Sequence, residues 1–172
     1  LNALASCAVC IFIGLDPEKS AAGLKKFTGS SRRFQLTGHM ANGATVIDDY
    51  AHHPTEMTAT LKTAREMDFD RIICVFQSHT YSRTKALLPQ FVEALKLCDK
   101  AIVADIYAAR EKNTFGISGK DIADQLDGGE YYPSFEQIEA RVREIAQPND
   151  LIITMGAGNI NGIGPKLCVD AK

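Results

Sequence analysis

Four polar stretches of this chain hold the residue types that proton transfer and anion binding require. Asp48-Asp49-Tyr50-Ala51-His52-His53-Pro54 carries two carboxylates and two imidazoles, and Gln77-Ser78-His79-Thr80-Tyr81-Ser82-Arg83 adds a third imidazole and a guanidinium. The segment from Asp105 to Glu111 brings further carboxylates, and Gly156-Ala157-Gly158 is a glycine-rich turn. A neutral imidazole accepts a proton near physiological pH, and a guanidinium grips a carboxylate or phosphate with two parallel hydrogen bonds. Taken singly, each residue has a plainer reading. His52-His53 suits a helix-entry cap, and Arg32-Arg33 a linker charge pair. Arg83 reads as a solvated first-turn cation, although a cation at a helix N-terminus is electrostatically misplaced and so points to an anion nearby. Asp48 and Asp49 can close a strand; successive strand residues face opposite ways, so at most one should reach a cleft. Asp105 and Glu111 fit an acid–base role no better than a surface helix entry. The glycine signals are weak: Asn161 stands where a dinucleotide fingerprint needs its third glycine, and Gly116-Ile117-Ser118-Gly119-Lys120 is too short for a phosphate loop, with Asp121 in place of the required Ser or Thr.

The elements that must position these residues follow from periodicity. Residues 1–13 carry apolar side chains at helical spacing and open on the helix without a start methionine or cap, as if cut from something longer. A second helix is expected over 17–27, and 28–31 reads as a linker. The runs 34–40 and 44–48 flank Asn42-Gly43, a strong hairpin signal. Pro54 suits the first position of a helix whose apolar face is Met57, Leu61, Ala64 and Met67. Strands at 71–76, 101–106, 130–132 and 151–155 then alternate with helices at 85–97, 118–126, 134–146 and 159–169, two of them opened by capping pairs, Ser118 with Asp121 and Ser134 with Gln137. The strand runs 72–75 and 151–153 are apolar without alternation, as in strands covered on both faces. The expected fold is α/β: a Rossmann-like, doubly wound, mostly parallel sheet with an antiparallel edge hairpin, flanked by helices. In such a sheet ligands sit at the carboxyl ends of the strands, where all four polar stretches fall.

Composition narrows the class. The chain has 172 residues, 45% hydrophobic and 23% charged, enough for one sizeable core and a small appendage. A net charge of -2 with no basic block makes nucleic acid an unlikely partner by expectation. No apolar run approaches the ~20 residues of a membrane span, so a soluble, cytoplasmic protein without a membrane partner is expected. Five cysteines, including Cys7 and Cys10 as an isolated C-x-x-C, are expected as buried small hydrophobes rather than metal or redox groups.

At this point the residues resemble a known family. Val46-Ile47-Asp48-Asp49-Tyr50-Ala51-His52-His53-Pro54 looks like the signature that opens the C-terminal domain of Mur ligases, in the form of their alanine-adding branch. Phe76-Gln77-Ser78-His79-Thr80-Tyr81-Ser82-Arg83-Thr84 is similar to the F-Q-P-H-x-Y-[ST]-R-T segment, and Asp105-Ile106-Tyr107-Ala108-Ala109-Arg110-Glu111 to D-[IV]-Y-x-A-x-E. The likeness continues to Gly156-Ala157-Gly158, and Asn2 with Leu4-Ala5 resembles the end of a central-domain segment. It implies residues 1–30 as a helical remnant of a central ATPase domain with its linker, and 31–172 as the C-terminal domain. It further implies an ATP-dependent ligase that joins L-alanine to UDP-N-acetylmuramate, for peptidoglycan, through an acyl phosphate. Missing N-terminal and central domains would hold the sugar nucleotide, the phosphate loop and most Mg²⁺ ligands, leaving this lobe inactive alone and without a metal site. By the resemblance, Asn2 would touch adenine, Arg33 the nucleotide and its phosphates, and Asp49 would order the ATP site. Tyr50, His52, His79 and Arg83 would surround the reacting carboxylate and the alanine, with His52 or His79 as the base and Arg83 as the anion grip. Two departures matter. Ser78 replaces the usual proline, which should loosen the turn presenting His79, and Thr80 stands where many relatives have a second arginine, leaving the grip to Arg83 or to the missing domains.

Three other readings stay open. A sibling ligase attaches a ready-made tripeptide to the same sugar and differs in the 77–83 region. A metal-dependent hydrolase would use Asp49, His52, His53 and His79, although adjacent histidines rarely ligate one ion. A noncatalytic nucleotide-binding module would hold ATP by itself, where a ligase lobe would hold little. The ligase reading predicts a G-x-x-G-K-[ST]-type loop encoded about 200 residues before Asn2; reading the upstream coding sequence checks it, and finding no such loop would end the reading.

Overall fold

The computed structural model describes residues 2–27 and 29–170, with the side chain of Asn2 undescribed. The chain divides into two compact units, Leu1–Ser31 and Arg32–Lys172. The first unit is a pair of helices, α1 (Asn2–Phe12) and α2 (Pro17–Lys25). Glycine ends α1 because the turn needs a left-handed residue: Gly14 has φ +86°, its N–H donates to Ile11 O, and Leu15 N–H donates to Cys10 O. Those two bonds satisfy carbonyls that the helix end leaves open. Asp16 then starts α2 by accepting from the N–H groups of Glu18 and Lys19 at 2.8 and 3.1 Å, with Pro17 behind it. Among the described residues no helix is long and apolar enough to cross a membrane.

The second unit is a six-stranded sheet in the order β1-β2-β6-β3-β4-β5. Its strands are β1 (Gln35–His39), β2 (Thr45–Asp49), β3 (Arg71–Phe76), β4 (Lys100–Ala104), β5 (Glu130–Tyr132) and β6 (Asp150–Met155). Only β1 runs antiparallel to its neighbour. The β1–β2 hairpin forms at Asn42-Gly43, but not as a tight two-residue turn. Gly43 N–H donates to Met40 O and carries the positive φ of +94°, while neither Ala41 nor Asn42 is among the positive-φ residues. This is a three-residue connection with glycine at the left-handed position. Asn42 braces it by accepting from Ala44 N–H and donating to Ala146 O.

Strand parity sorts the core into two layers. Ile72, Cys74 and Phe76 of β3, with Leu151 and Ile153 of β6, face Met57 and Leu61 of α3 (Pro54–Arg65) and Phe91 and Leu95 of α4 (Tyr81–Leu95). Ile73, Val75 and Ile152 face the opposite layer, built from Ile138 and Val142 of α6 (Phe135–Ile145) and Ile163 and Leu167 of α7 (Ile163–Leu167). Helix α5 (Lys120–Ala123) joins the first layer through Ile122. The two unalternated runs are therefore the central strands, covered on both faces. The chain crosses on one face from β2 to β5 and returns on the other to insert β6 between β2 and β3. That reversal puts a topological switch at the carboxyl ends of β2, β6 and β3.

Several boundaries differ from expectation, each for a local reason. Helix α4 begins at Tyr81 rather than 85, because Glu111 supplies the N-terminal cap that Thr80 does not: its carboxylate accepts from Ser82 N–H at 2.8 Å and from the Ser82 hydroxyl. The same helix is broken at Leu87 (φ -113°, ψ 15°), ahead of Pro89. Residues 118–126 yield only the four residues of α5, although Asp121 still accepts from Ser118 N–H as the capping pair requires. Residues 159–169 begin as a 3₁₀ turn, Ile160–Gly162, before α7. Of the cysteines, Cys74 and Cys98 are core residues, whereas Cys7, Cys10 and Cys168 are only half-buried, the first two because two helices are too little structure to enclose them.

At the opposite end of the sheet Arg71 pins β3 to β6. Its Nε and Nη2 donate to the two carboxylate oxygens of Asp150 at 2.9 and 2.6 Å, and Asp150 is fully buried. Arg71→Ala would strand that charge, and urea unfolding of the chain is expected to show a loss of roughly 2–3 kcal/mol; a loss below 0.5 kcal/mol would mean that solvent already screens the pair.

Candidate functional site

Three strand ends on the carboxyl edge extend into one another. Beyond β3 and β4 the chains stay paired for a further step: Tyr107 N–H donates to Ser78 O at 2.9 Å, and Thr80 N–H to Tyr107 O at 2.9 Å. The pairing stacks the His79 ring on Tyr107, centroids 5.4 Å apart and planes 27° apart. His52, two residues into the turn after Tyr50, stands 6.3 Å from His79 and 5.3 Å edge-on from Tyr50. Beyond Tyr50 lies Arg32, its guanidinium carbon 4.9 Å from the ring centroid. The result is a row running Arg32, Tyr50, His52, His79, Tyr107 along the rim. Tyr50 and Tyr107 are about one-third exposed and the two imidazoles are half-buried.

Local bonding fixes the histidine tautomers. His52 Nδ1 lies 3.0 Å from Tyr50 O. A carbonyl only accepts, so the neutral ring carries its proton on Nδ1 and keeps the lone pair on Nε2. His53 is the reverse: its Nδ1 accepts from Thr55 N–H at 3.3 Å, completing a capping box in which Glu56 accepts from His53 N–H. His53 is thus a helix cap. Burial, the Arg83 charge and His52 together push the His79 pKa below its ordinary value, against a smaller opposing pull from Glu111. His79 is therefore neutral at pH 7. Burial tends to raise the Glu56 carboxyl, but the N–H groups of His52 and His53, with the charges of His52 and Arg33, outweigh it and hold the group low.

Arg83 lies in the first turn of α4, half-buried, and its Nη1 has no hydrogen-bond partner among the described residues. Gln77 Oε1 and His79 Nδ1 are likewise buried and unpartnered. Three open polar atoms on one seven-residue segment mark a place where a ligand's polar groups would be met. The carboxylate at the start of this helix, Glu111, is used by Ser82.

The segment is stiff. Thr80 has φ +70° and ψ 142°, a conformation that costs a β-branched residue about 1–3 kcal/mol. Its carbonyl accepts from Thr84 N–H at 3.1 Å and from Thr84 Oγ1 at 2.7 Å. Thr84 has a single hydroxyl proton and spends it there, so the Ser78 hydroxyl, 2.5 Å away, must donate to Thr84 Oγ1. Ser78 and Thr84 are both fully buried. Ser78 therefore does not loosen the turn as the missing proline suggests; a hydroxyl chain supplies the restraint.

Asp48 and Asp49 face opposite ways, as parity requires. Asp48 accepts from Arg32 Nε at 2.8 Å and Thr154 Oγ1 at 2.7 Å. Asp49 spends both oxygens on backbone, accepting from Phe34 N–H and Ala51 N–H at 2.8 Å each. It lines a separate recess with the exposed Arg33, Glu56 and Thr60. Arg33 and Asp49 thus share this recess with Glu56, which borders the histidine row by accepting from His52 N–H at 3.1 Å. The Asn2 side chain lies outside the described residues. The glycines of 156–158 answer to packing: a Cβ at Gly156 would strike Gln77 O, and one at Gly158 would strike the Gln77 side chain and Tyr107. Among the described residues no group of three His, Cys, Asp or Glu side chains is arranged to hold a metal ion. Sequence reasoning passed over Arg32, Gln77 and Tyr107. An aromatic at the exit of a strand was a usable signal for Tyr107; Arg32 offered none, because most of its partners are backbone carbonyls.

The model of the Mur ligase, glutamate ligase domain, matches residues 32–158. The chain belongs to the Mur ligase family. The chain is 53% identical over 170 residues to the UDP-N-acetylmuramate–L-alanine ligase of Agathobacter rectalis, covering 96% of this chain and 37% of that protein. It is 47% identical over 175 residues to the enzyme of the same name from Caldanaerobacter subterraneus subsp. tengcongensis, at 99% and 38% coverage. Among solved structures, the UDP-N-acetylmuramate-alanine ligase MurC of Thermotoga maritima superposes with TM-score 0.78 at 28% identity, over 96% of this chain and 36% of that one. The murein peptide ligase of Psychrobacter arcticus shares the fold, with TM-score 0.72 at 24% identity over 96% and 35%. This Mur ligase chain spans less than two-fifths of the length of the curated relatives it matches.

The electrostatics of the Mur ligase rim predict a titration. In ¹H–¹⁵N spectra of the imidazoles, His79 should titrate below the ordinary ~6.5, and Arg83→Ala should move it upward by removing a positive neighbour. Because the folded value is depressed, the unfolded chain binds the proton more readily in the window between the two pKa values. Stability from His79 is therefore complete above ~6.5 and declines as pH falls through the folded value. A His79 pKa that does not respond to Arg83→Ala would place the guanidinium away from the ring.

Proposed function

We propose that this chain is the C-terminal domain of a cytoplasmic ATP-dependent ligase that joins L-alanine to UDP-N-acetylmuramate in peptidoglycan synthesis, acting only with the N-terminal and central domains of the same enzyme. The observation that carries the reading is the rim itself: two neutral-capable imidazoles and an Arg83 guanidinium whose buried Nη1 lacks a partner, on segments that leave one strand edge. The substrate names come from the relatives of 53% and 47% identity, which are alanine ligases.

ATP, when bound with Mg²⁺ held mainly by the central domain, would supply the phosphoryl group that activates the sugar carboxylate as an acyl phosphate. Arg33, exposed beside the Asp49 recess, fits an anionic nucleotide, and Asp49 serves by holding the Arg33-Phe34 backbone in place. Arg83, whose Nη1 lacks a partner, is the guanidinium for the reacting carboxylate or for that of alanine; a two-pronged grip orients the anion as a single ammonium would not. The alanine nitrogen must lose a proton to become a nucleophile. His52 keeps the Nε2 lone pair free because Tyr50 O claims the proton on Nδ1, and burial, with the Arg83 charge, disfavours the charged form of His79. Either ring meets the requirement for a base, and Tyr50 shields one side of the row.

The test is alanine- and UDP-N-acetylmuramate-dependent ADP release by the full-length enzyme, with a tripeptide in place of alanine as control. Arg83→Ala should lower turnover by on the order of 10²-fold with folding intact. Wild-type turnover in that variant removes Arg83 from the site, and preference for the tripeptide assigns the chain to the sibling ligase.

A further inference from the structure

Arg32 makes several long-range contacts at the rim. Its Nε donates to Asp48 Oδ2 at 2.8 Å, Nη2 to Gly156 O at 2.6 Å and Nη1 to Gly158 O at 3.3 Å. Its guanidinium carbon lies over the Tyr50 ring, 4.9 Å from the centroid, and Arg32 O accepts from Tyr50 N–H at 2.7 Å. One planar group thus ties together the end of β2, the loop leaving β6 and the first aromatic of the row. Its own backbone is held in the left-handed region, φ +57°, with its N–H donated to Gln35 Oε1 at 2.7 Å. The Gly156–Gly158 loop it fastens packs in turn on Gln77 and Tyr107, which carry the other end of the row.

We infer that Arg32 is a positioning residue for the alanine-adding reaction: by clamping the Gly156–Gly158 carbonyls and the Tyr50 ring at once, it holds both ends of the Tyr50–His52–His79–Tyr107 row in register. The inference rests on the function proposed above. A lysine keeps a charge beside Asp48 but has neither the fork nor the plane, so it cannot bond two carbonyls and a carboxylate while stacking on a ring. A misplacement of about 1 Å in such a row is enough to cost on the order of 10²-fold in rate.

The test uses Arg32→Lys in the full-length enzyme. Expected are a fall in kcat/KM for alanine of on the order of 10²-fold, an unchanged KM for ATP, whose proposed recess Arg32 does not line, and an unchanged Tm. In a ¹⁵N,¹³C-labelled sample of this chain, Arg32→Lys should also shift the Gly156 and Gly158 amides and the Tyr50 ring while leaving Arg71 and Asp150 unmoved. Wild-type kinetics for alanine, equal losses for alanine and ATP, or a variant that unfolds would each overturn the inference, the last because Arg32 would then serve stability. If the wild-type enzyme itself adds no alanine, the proposed function fails, and the labelled chain still decides whether Arg32 holds the loop.

Discussion

The rim depends on two backbone hydrogen bonds that pair the β3 and β4 exits after the strands have ended. Strand exits are ordinarily free to diverge, and loops that diverge hold their side chains apart. Here Ser78 O and Tyr107 O are both committed across the gap, so His79 and Tyr107 must face the same way and stack. The commitment forces Thr80 into a left-handed conformation that threonine resists. Strain at Thr80 is held in place by the Ser78–Thr84 hydroxyl chain on one side and the Glu111 cap on the other. A site of this kind is made by over-determining a short segment of backbone, and each buried hydroxyl has a defined donor or acceptor role in doing so.

Much of the architecture was legible in the chain because it is written in local patterns. The unalternated runs at 72–75 and 151–153 read as strands buried on two faces, and Asn42-Gly43 as a strong hairpin signal. Parallel strands share one carboxyl edge, so the convergence of the polar stretches followed without any contact being known. What escaped was written in long-range pairings. The insertion of β6 between β2 and β3 has no signature in either strand. Arg32 looks like half of a linker charge pair until Gly156 and Gly158, far along the chain, present their carbonyls to it. Glu111 reads as a surface acid until the N-terminus of α4 is found beside it.

The two departures from the family pattern take on different meanings. A proline at position 78 would fix the backbone by covalent geometry; serine fixes it by a hydrogen bond to Thr84 that is dry and therefore strong. The restraint survives with a different physical origin. Thr80 has no such substitute, since its side chain replaces a charge. Arg83 keeps a buried Nη1 without a hydrogen-bond partner among the described residues, whereas Arg32 spends Nε, Nη1 and Nη2 on Asp48, Gly158 and Gly156.

The chain contains no tryptophan and five tyrosines, of which Tyr50, Tyr81 and Tyr107 lie on the rim segments. Its near-ultraviolet emission is therefore weighted toward the very edge where a ligand would arrive. Tyr50 touches a guanidinium and an imidazole, and Tyr107 stacks on another imidazole, so both rings are subject to quenching that varies with small changes in spacing. The row thus doubles as a built-in optical gauge of its own alignment, readable without a label.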